Sequence, residues 1–225
     1  MNSIAIDGPA GAGKSTIAKE IAKRLNIIYL DTGALYRAVG LYMIKNGVDL
    51  RKIDRVVFEL QHCKISVKHF ENNQKVLLCG EDVGDLIRSS EVSMAASAVS
   101  AIREVREYLL DLQRNIAKNN DVIMDGRDIG TVVLPDANVK IFLTASINSR
   151  AKRRFCDLIE MGQEVKFEDV LEHIKQRDSQ DMNRKFAPLK PAPDAVLLDT
   201  SKLSLEESVE NVLEIIKKNG VEKNK

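Results

Sequence analysis

The chain has 225 residues, 44% hydrophobic and 30% charged, which suits one large domain, or a domain carrying an insertion, and excludes a disordered chain. With 34 basic against 33 acidic side chains the formal charge is +1, so no bulk field draws the chain to nucleic acid, although a local basic patch stays open to it. No apolar run is long enough to cross a bilayer, Met1-Asn2-Ser3-Ile4 begins no secretion signal, and Cys63, Cys79 and Cys156 show no C-x-x-C spacing, so the sequence predicts a cytoplasmic protein with three reduced, buried thiols.

Ser3 to Ile6 predicts a short buried strand that ends at Asp7 and a glycine-rich turn. From Lys14 to Leu25, Ile17, Ile21 and Leu25 recur on one helical face. Ile27 to Leu30 predicts a second strand, followed by Asp31-Thr32-Gly33 and a helix through Tyr36, Val39 and Met43. Such alternation predicts an α/β fold, a parallel sheet flanked by helices with right-handed crossovers. Near residue 59 the rhythm changes. Lys64 to Phe70 alternates, Glu71-Asn72-Asn73-Gln74 reads as a turn, and Lys75 to Cys79 is a second β run. This hairpin marks an insertion over residues 59–98 in a single domain whose core is 1–58 and 99–225. A helix over 102–118, strands at Asp121–Asp125 and Val139–Thr144, a basic helix from 147, a strand at Val196–Asp199 and a helix over Leu205–Lys218 complete the pattern. Glu222 to Lys225 reads as a frayed tail.

The chemistry begins at the first turn. Gly8-Pro9-Ala10-Gly11-Ala12-Gly13-Lys14-Ser15 matches G-x-x-x-x-G-K-S/T directly after a strand and at the start of a helix, with Thr16 following. Glycines let the backbone curl until successive N–H groups point at phosphate oxygens, and the helix amino terminus adds partial positive charge. In such a loop Lys14 reaches the β- and γ-phosphates and the Ser15 hydroxyl ligates Mg²⁺. The sequence therefore predicts a P-loop NTPase-type fold that binds a nucleoside triphosphate. Asp125, at the carboxyl end of an apolar strand, is the candidate second magnesium ligand, directly or through water; an ordinary strand-ending Asp is the plain alternative.

No D-x-x-G and no N-K-x-D occurs, which argues against a guanine-reading switch. A small-molecule kinase needs instead an acceptor pocket and a mobile arginine-rich cover. Arg150, Arg153 and Arg154 share one helical face, and Arg177, Asp181 and Arg184 fall on or beside the apolar face of Phe167, Val170, Leu171 and Ile174. Together they predict a helical lid over residues 148–184, against the plainer reading of salt-bridged helix ends. Arg106 lies on the apolar face of Ile102, Val105, Leu109 and Ile116, as a snorkelling side chain or a ligand.

Ile6 to Lys14, Asp31-Thr32-Gly33-Ala34-Leu35-Tyr36-Arg37, Asp125-Gly126-Arg127-Asp128-Ile129-Gly130-Thr131-Val132-Val133 and Asn183-Arg184 together resemble the bacterial-type cytidylate (CMP) kinases over nearly the whole chain. The resemblance implies transfer of the γ-phosphate of ATP to CMP and dCMP, with Mg²⁺, by a monomer that engages neither nucleic acid nor membrane. It implies CMP contacts at Thr32, Arg37, Ser97, Arg106, Arg127, Asp128, Arg177, Asp181 and Arg184, and catalytic roles for Lys14, Asp125, Arg153 and Arg184. The chemistry agrees with it. A carboxylate such as Asp128 accepts from the cytosine amine while Arg106 donates to ring acceptors, and Arg37 and Arg127 suit the monophosphate. Ser97, within Ala95-Ala96-Ser97-Ala98, serves as well as a small packing residue. The alternatives are a small P-loop kinase for adenylate or shikimate, and an ATP-binding or RNA-associated module using Arg150–Arg154 as a basic patch.

Overall fold

The computed structural model describes residues 1–70, 73–160 and 162–221. It holds two sheets, one of five strands and mostly parallel, the other of three antiparallel strands. The chain forms two compact units, Ile27–Val122 with Met1, and Asn2–Asn26 with the residues from Ile123 onward.

In the second unit, strand β1 (Ser3–Asp7) runs straight into the phosphate-binding loop and helix α1 (Lys14–Leu25). Ile17, Ile21 and Leu25 of α1 are buried, as their spacing requires. The first unit opens with β2 (Ile28–Asp31), α2 (Thr32–Lys45) and α3 (Ile53–Leu60). Its antiparallel sheet is β3 (Ile65–Phe70), β4 (Asn73–Leu78) and the two-residue β5 (Glu81–Asp82), in that order. The hairpin is therefore where alternation puts it, but Asn73 and Gln74 belong to β4, Gln74 pairing with His69; Glu71 and Asn72 lie outside the described residues. A short 3₁₀ turn (Leu86–Arg88), α4 (Ser90–Val99) and α5 (Arg103–Asn119) follow. Ala34, Leu35, Ala38 and Val39 of α2, Val56 and Leu60 of α3, Val76 and Leu78 of β4, and Val105 and Leu109 of α5 build one buried cluster. Gly40 lets α2 and α4 approach closely, since a Cβ there would lie 2.9 Å from the Ala96 nitrogen.

β6 (Val122–Gly126) ends in the π-helical turn Ile129–Val133, and then come β7 (Val139–Thr144), α6 (Ile147–Glu160), α7 (Phe167–Met182), β8 (Val196–Asp199) and α8 (Leu205–Lys218). Within this unit the strand order is β6-β1-β7-β8, and β7 pairs in parallel with both β1 and β8. Val170 and Ile174 of α7 pack with Ala151 and Leu158 of α6 in a separate small core that holds the helix pair together. Helix α8 opens on a capping box formed by Ser204 and Glu207.

The expectation of three buried thiols holds for Cys63 alone; Cys79 and Cys156 are exposed, and all three are free. Cys79 has φ 50, so the chain leaves strand geometry there and the side chain turns out. Cys156 sits on α6 away from the face that Ala151 and Leu158 bury. The tail from Glu222 to Lys225 lies outside the described residues. Among the described residues no helix is long and apolar enough to cross a membrane.

Candidate active site

Gly8 shows how tightly the phosphate-binding loop is built. Its φ is 147°, and a Cβ there would lie 2.0 Å from the Leu143 carbonyl oxygen on β7, so no other residue fits without moving the sheet. Gly11 and Gly13 also have positive φ, and Gly13 is the N-cap of α1. Pro9, Ala10 and Ala12 complete the loop, and Ser15 and Thr16 follow Lys14 in the first turn of α1. Lys14 is 5% exposed and its ammonium donates to the Pro9 carbonyl at 2.8 Å. Burial, and next the charge of Arg127, hold its pKa well below the usual lysine value. An ammonium that has shed most of its water is prepared for an anion.

The Ser15 hydroxyl donates to Asp125 Oδ2 at 2.8 Å. The two residues expected to serve a magnesium ion are thus in contact, the hydroxyl from the loop and the carboxylate from the end of β6. Two hard oxygen donors side by side suit Mg²⁺, which takes few protein ligands and keeps several waters.

Asp7, at the end of β1, carries a role that sequence reasoning missed. It is 4% exposed and its two oxygens accept from Ile129 N–H at 2.8 Å and Gly130 N–H at 2.7 Å. It thereby pins the turn that follows Asp128, itself 4% exposed. That turn closes with Val133 N–H to the Asp128 carbonyl and Leu134 N–H to the Ile129 carbonyl, the wide i→i+5 pattern. Burial pushes the Asp7 carboxyl up to about 6, against the pull of the two N–H donors.

The arginines separate into two groups. Arg127 Nε donates to Asp181 Oδ2 at 2.8 Å, and Arg184 lies 3.4 Å from Asp181 Oδ1. Burial pushes the Asp181 carboxyl up, but Arg127, Arg184 and Arg177 outweigh it and hold the group below the usual range. Arg127, Arg177, Asp181 and Arg184 thus form one charged cluster at the end of α7. Arg153 is half-buried; its Nη2 donates to the Thr200 carbonyl at 2.6 Å, and Nη1 reaches Thr200 Oγ1 at 3.2 Å and the Ala12 carbonyl at 3.5 Å. Arg150 behaves differently from its helix neighbours. It is 6% exposed, paired with Asp178 at 2.6 Å, and donates to the carbonyls of Ala10 and Ala145. For Arg150 the salt-bridged reading is the correct one: it moors α6 to the loop. Asp178 escaped notice because a lone carboxylate on a charged helix carries no signal of its own.

The remaining candidates lie in the first unit. Thr32 is buried at the start of α2, whose N-cap Asp31 accepts from Ala34 N–H and pairs with Arg37 at 2.7 Å. Arg106, 9% exposed on α5, donates to the Ser100 carbonyl, and its guanidinium lies 5.3 Å from the centre of the Tyr36 ring. Ser97 stands one turn before Ser100 on α4, half-buried, its carbonyl accepting from the Ser100 hydroxyl. Among the described residues no group of three or more His, Cys, Asp or Glu forms a metal cluster.

Residues 4–218 match the family model described as cytidylate kinase. A cytidylate kinase of Caldicellulosiruptor saccharolyticus is 52% identical over 216 residues, covering 96% of each chain. One from Lactobacillus johnsonii is 50% identical over 218 residues, covering 97% of this chain and 95% of its own. Among solved structures, an uncharacterized protein from Eubacterium ventriosum superposes with a TM-score of 0.54 over 96% of this chain and 99% of that one, at 13% identity, a likeness of fold alone.

Proposed function

The chain belongs to the cytidylate kinase family, and from that premise we propose that it transfers the γ-phosphoryl group of ATP to CMP, and to dCMP as well, releasing ADP and CDP or dCDP. The contact between Ser15 and Asp125 beside the phosphate-binding loop is the observation that most supports this reading, since it joins the loop to a carboxylate at the strand end. Mg²⁺ held there, directly or through water, supplies charge neutralisation at the phosphates.

The chain's own residues do the rest. The backbone from Gly8 to Gly13 cradles the phosphates, Lys14 neutralises charge on the transferring group, and Arg153 and Arg184 receive the charge that develops in the transition state. On the acceptor side, Arg37 and Arg127 grip the monophosphate, Thr32 adds a hydroxyl, and Arg177 and Asp181 complete the binding set. Arg106, Asp128 and Ser97 read the base. The transfer needs positioning and charge more than a base, so nothing is asked of the histidines. The same reading takes the chain as a cytoplasmic monomer acting on small molecules, with neither nucleic acid nor membrane as partner.

A coupled assay of ADP release against CMP, dCMP, UMP, AMP, GMP and shikimate tests the proposal. CMP and dCMP are expected to lead by at least an order of magnitude in kcat/KM. Preference for AMP or shikimate overturns the substrate. ATP binding without turnover, with a steep salt dependence of RNA binding, overturns the enzyme.

A further inference from the structure

On one face of β4, Gln74 stands where Val76 and Leu78 are buried at 3% and 5% exposure. Alternation alone predicts a third apolar side chain at that position. The glutamine is instead spent on another strand's main chain. Its Oε1 accepts from Asp31 N–H at 2.7 Å, and its Nε2 donates to the Asp31 carbonyl at 3.3 Å. One side chain thus satisfies both backbone groups of the last residue of β2, the office of a neighbouring strand.

The residue so held is fully committed. Asp31 Oδ1 accepts from Ala34 N–H at 2.9 Å to cap α2, and Oδ2 accepts from Arg37 Nη2 at 2.7 Å. With four bonds on one residue, its backbone and side-chain torsions are fixed, and with them the seat of the Arg37 guanidinium. Gly33 keeps the approach open, because a Cβ there would lie 3.1 Å from Asp31 Oδ1 and 3.2 Å from Arg37 Nη1. Arg37 keeps 27% of its side chain exposed, so the seated guanidinium still has donors to offer.

We propose that Gln74 is a positioning residue for the acceptor's phosphate: from the hairpin it clamps the main chain of Asp31, and Asp31 aims Arg37. The inference rests on Arg37 as a ligand of the monophosphate. Pre-aiming the fork matters because a guanidinium free to wander must be ordered at the moment of binding.

Gln74→Met keeps the shape and removes both bonds; Gln74→Glu keeps the acceptor for Asp31 N–H. In Gln74→Met, KM for CMP is expected to rise about threefold to tenfold while KM for ATP and the inhibition constant of cytidine, which has no phosphate, stay unchanged. Gln74→Glu is expected to lie between wild type and Gln74→Met. In an Arg37→Ala background the Gln74→Met effect should vanish, since the clamp then aims nothing. An unchanged KM for CMP in Gln74→Met, or equal weakening of CMP and cytidine, overturns the clamp. If Arg37→Ala itself leaves KM for CMP unchanged, the assignment of Arg37 to the phosphate is what fails. Circular dichroism and thermal melts check folding, and should Gln74→Met not fold, Gln74→Ala takes its place with the same readouts.

Discussion

At the scale of single residues, burial decides what the charges can do. Asp7 is the clearest case: its carboxyl is pushed from 3.8 up to about 6, chiefly by burial, with the N–H groups of Gly130 and Ile129 pulling it back and Asp128 adding to the rise. Between those two values the folded chain holds a proton that the unfolded chain has released. The stability this group contributes is therefore full below pH 3.8 and lost as the pH rises through 6. The loss amounts to about 3 kcal/mol. Asp7→Asn does not titrate, so the unfolding free energy of wild type minus variant is expected to fall by about that much between about pH 4 and pH 7, measured by urea denaturation. Asp128, equally buried, makes a different prediction. Uracil carries an oxygen where cytosine carries its amine, so a carboxylate there sets acceptor against acceptor. Asp128→Asn is expected to lower kcat/KM for CMP and to narrow the CMP-to-UMP ratio by about 1–3 kcal/mol; equal losses for both nucleotides would show that Asp128 does not read the base. The positions of Lys14, Ser15, Asp125 and Arg106 were legible because motif spacing or an inward charge marks them. Asp7, Gln74 and Asp178 were not, because each acts on a partner far away in sequence and leaves no local pattern.

At the scale of elements, periodicity located what is long and strongly patterned and passed over what is held by context. The terminal helix and β8 fall on the residues that their spacing predicts. Helix α4 was not foreseen: Ser90 to Val99 has small side chains and a weak stripe, and its burial comes from the close approach to Gly40. The two-residue β5 is too short to carry alternation, and the π-helical turn has no sequence signature. Helices α6 and α7 are joined by an apolar cluster and by the buried pair Arg150–Asp178, whose second carboxylate oxygen has no hydrogen-bond partner among the described residues. Removing one member leaves a buried charge alone, whereas removing both leaves only shape to repair. Asp178→Ala is expected to destabilise the chain by about 3 kcal/mol, and the double variant Arg150→Met with Asp178→Leu to recover most of that in urea denaturation.

At the scale of the whole chain, the sequence separates a hairpin insertion at 59–98, while the compact unit that contains it runs from Ile27 to Val122. The difference has a physical source. The hairpin's inner face, Val76 and Leu78, shares one apolar cluster with residues of α2, α3 and α5, so that cluster draws in helices that strand–helix alternation assigns to the core. A ligand that binds only the folded chain stabilises all of it. CMP at about one hundred times its Kd is expected to add about 2.7 kcal/mol, which for a chain of this length raises Tm by about 5–10 °C. UMP at the same concentration is expected to raise it less, a comparison read directly from paired thermal melts. Identical shifts would remove the base preference at the level of binding.

The wide turn at Ile129–Val133 has a consequence for anyone who would tidy this sequence. A loop closed at i→i+5 holds one residue more than an ordinary helical turn. Deleting one of the five would leave a chain able to close in the commoner way, shorter and more regular. Each residue of an α-helix is rotated by about 100° from the last, so removing Ile129 or Gly130 would present a different residue's N–H to the Asp7 carboxylate, and removing a later one would turn the chain that leads on to β7. Redesign guided by ideal geometry would take that deletion as an improvement. The Asp7 carboxylate grasps two neighbouring amides at the open amino end of this turn, so a change that looks like tidying would re-register the anchor of the site or the chain that leaves it.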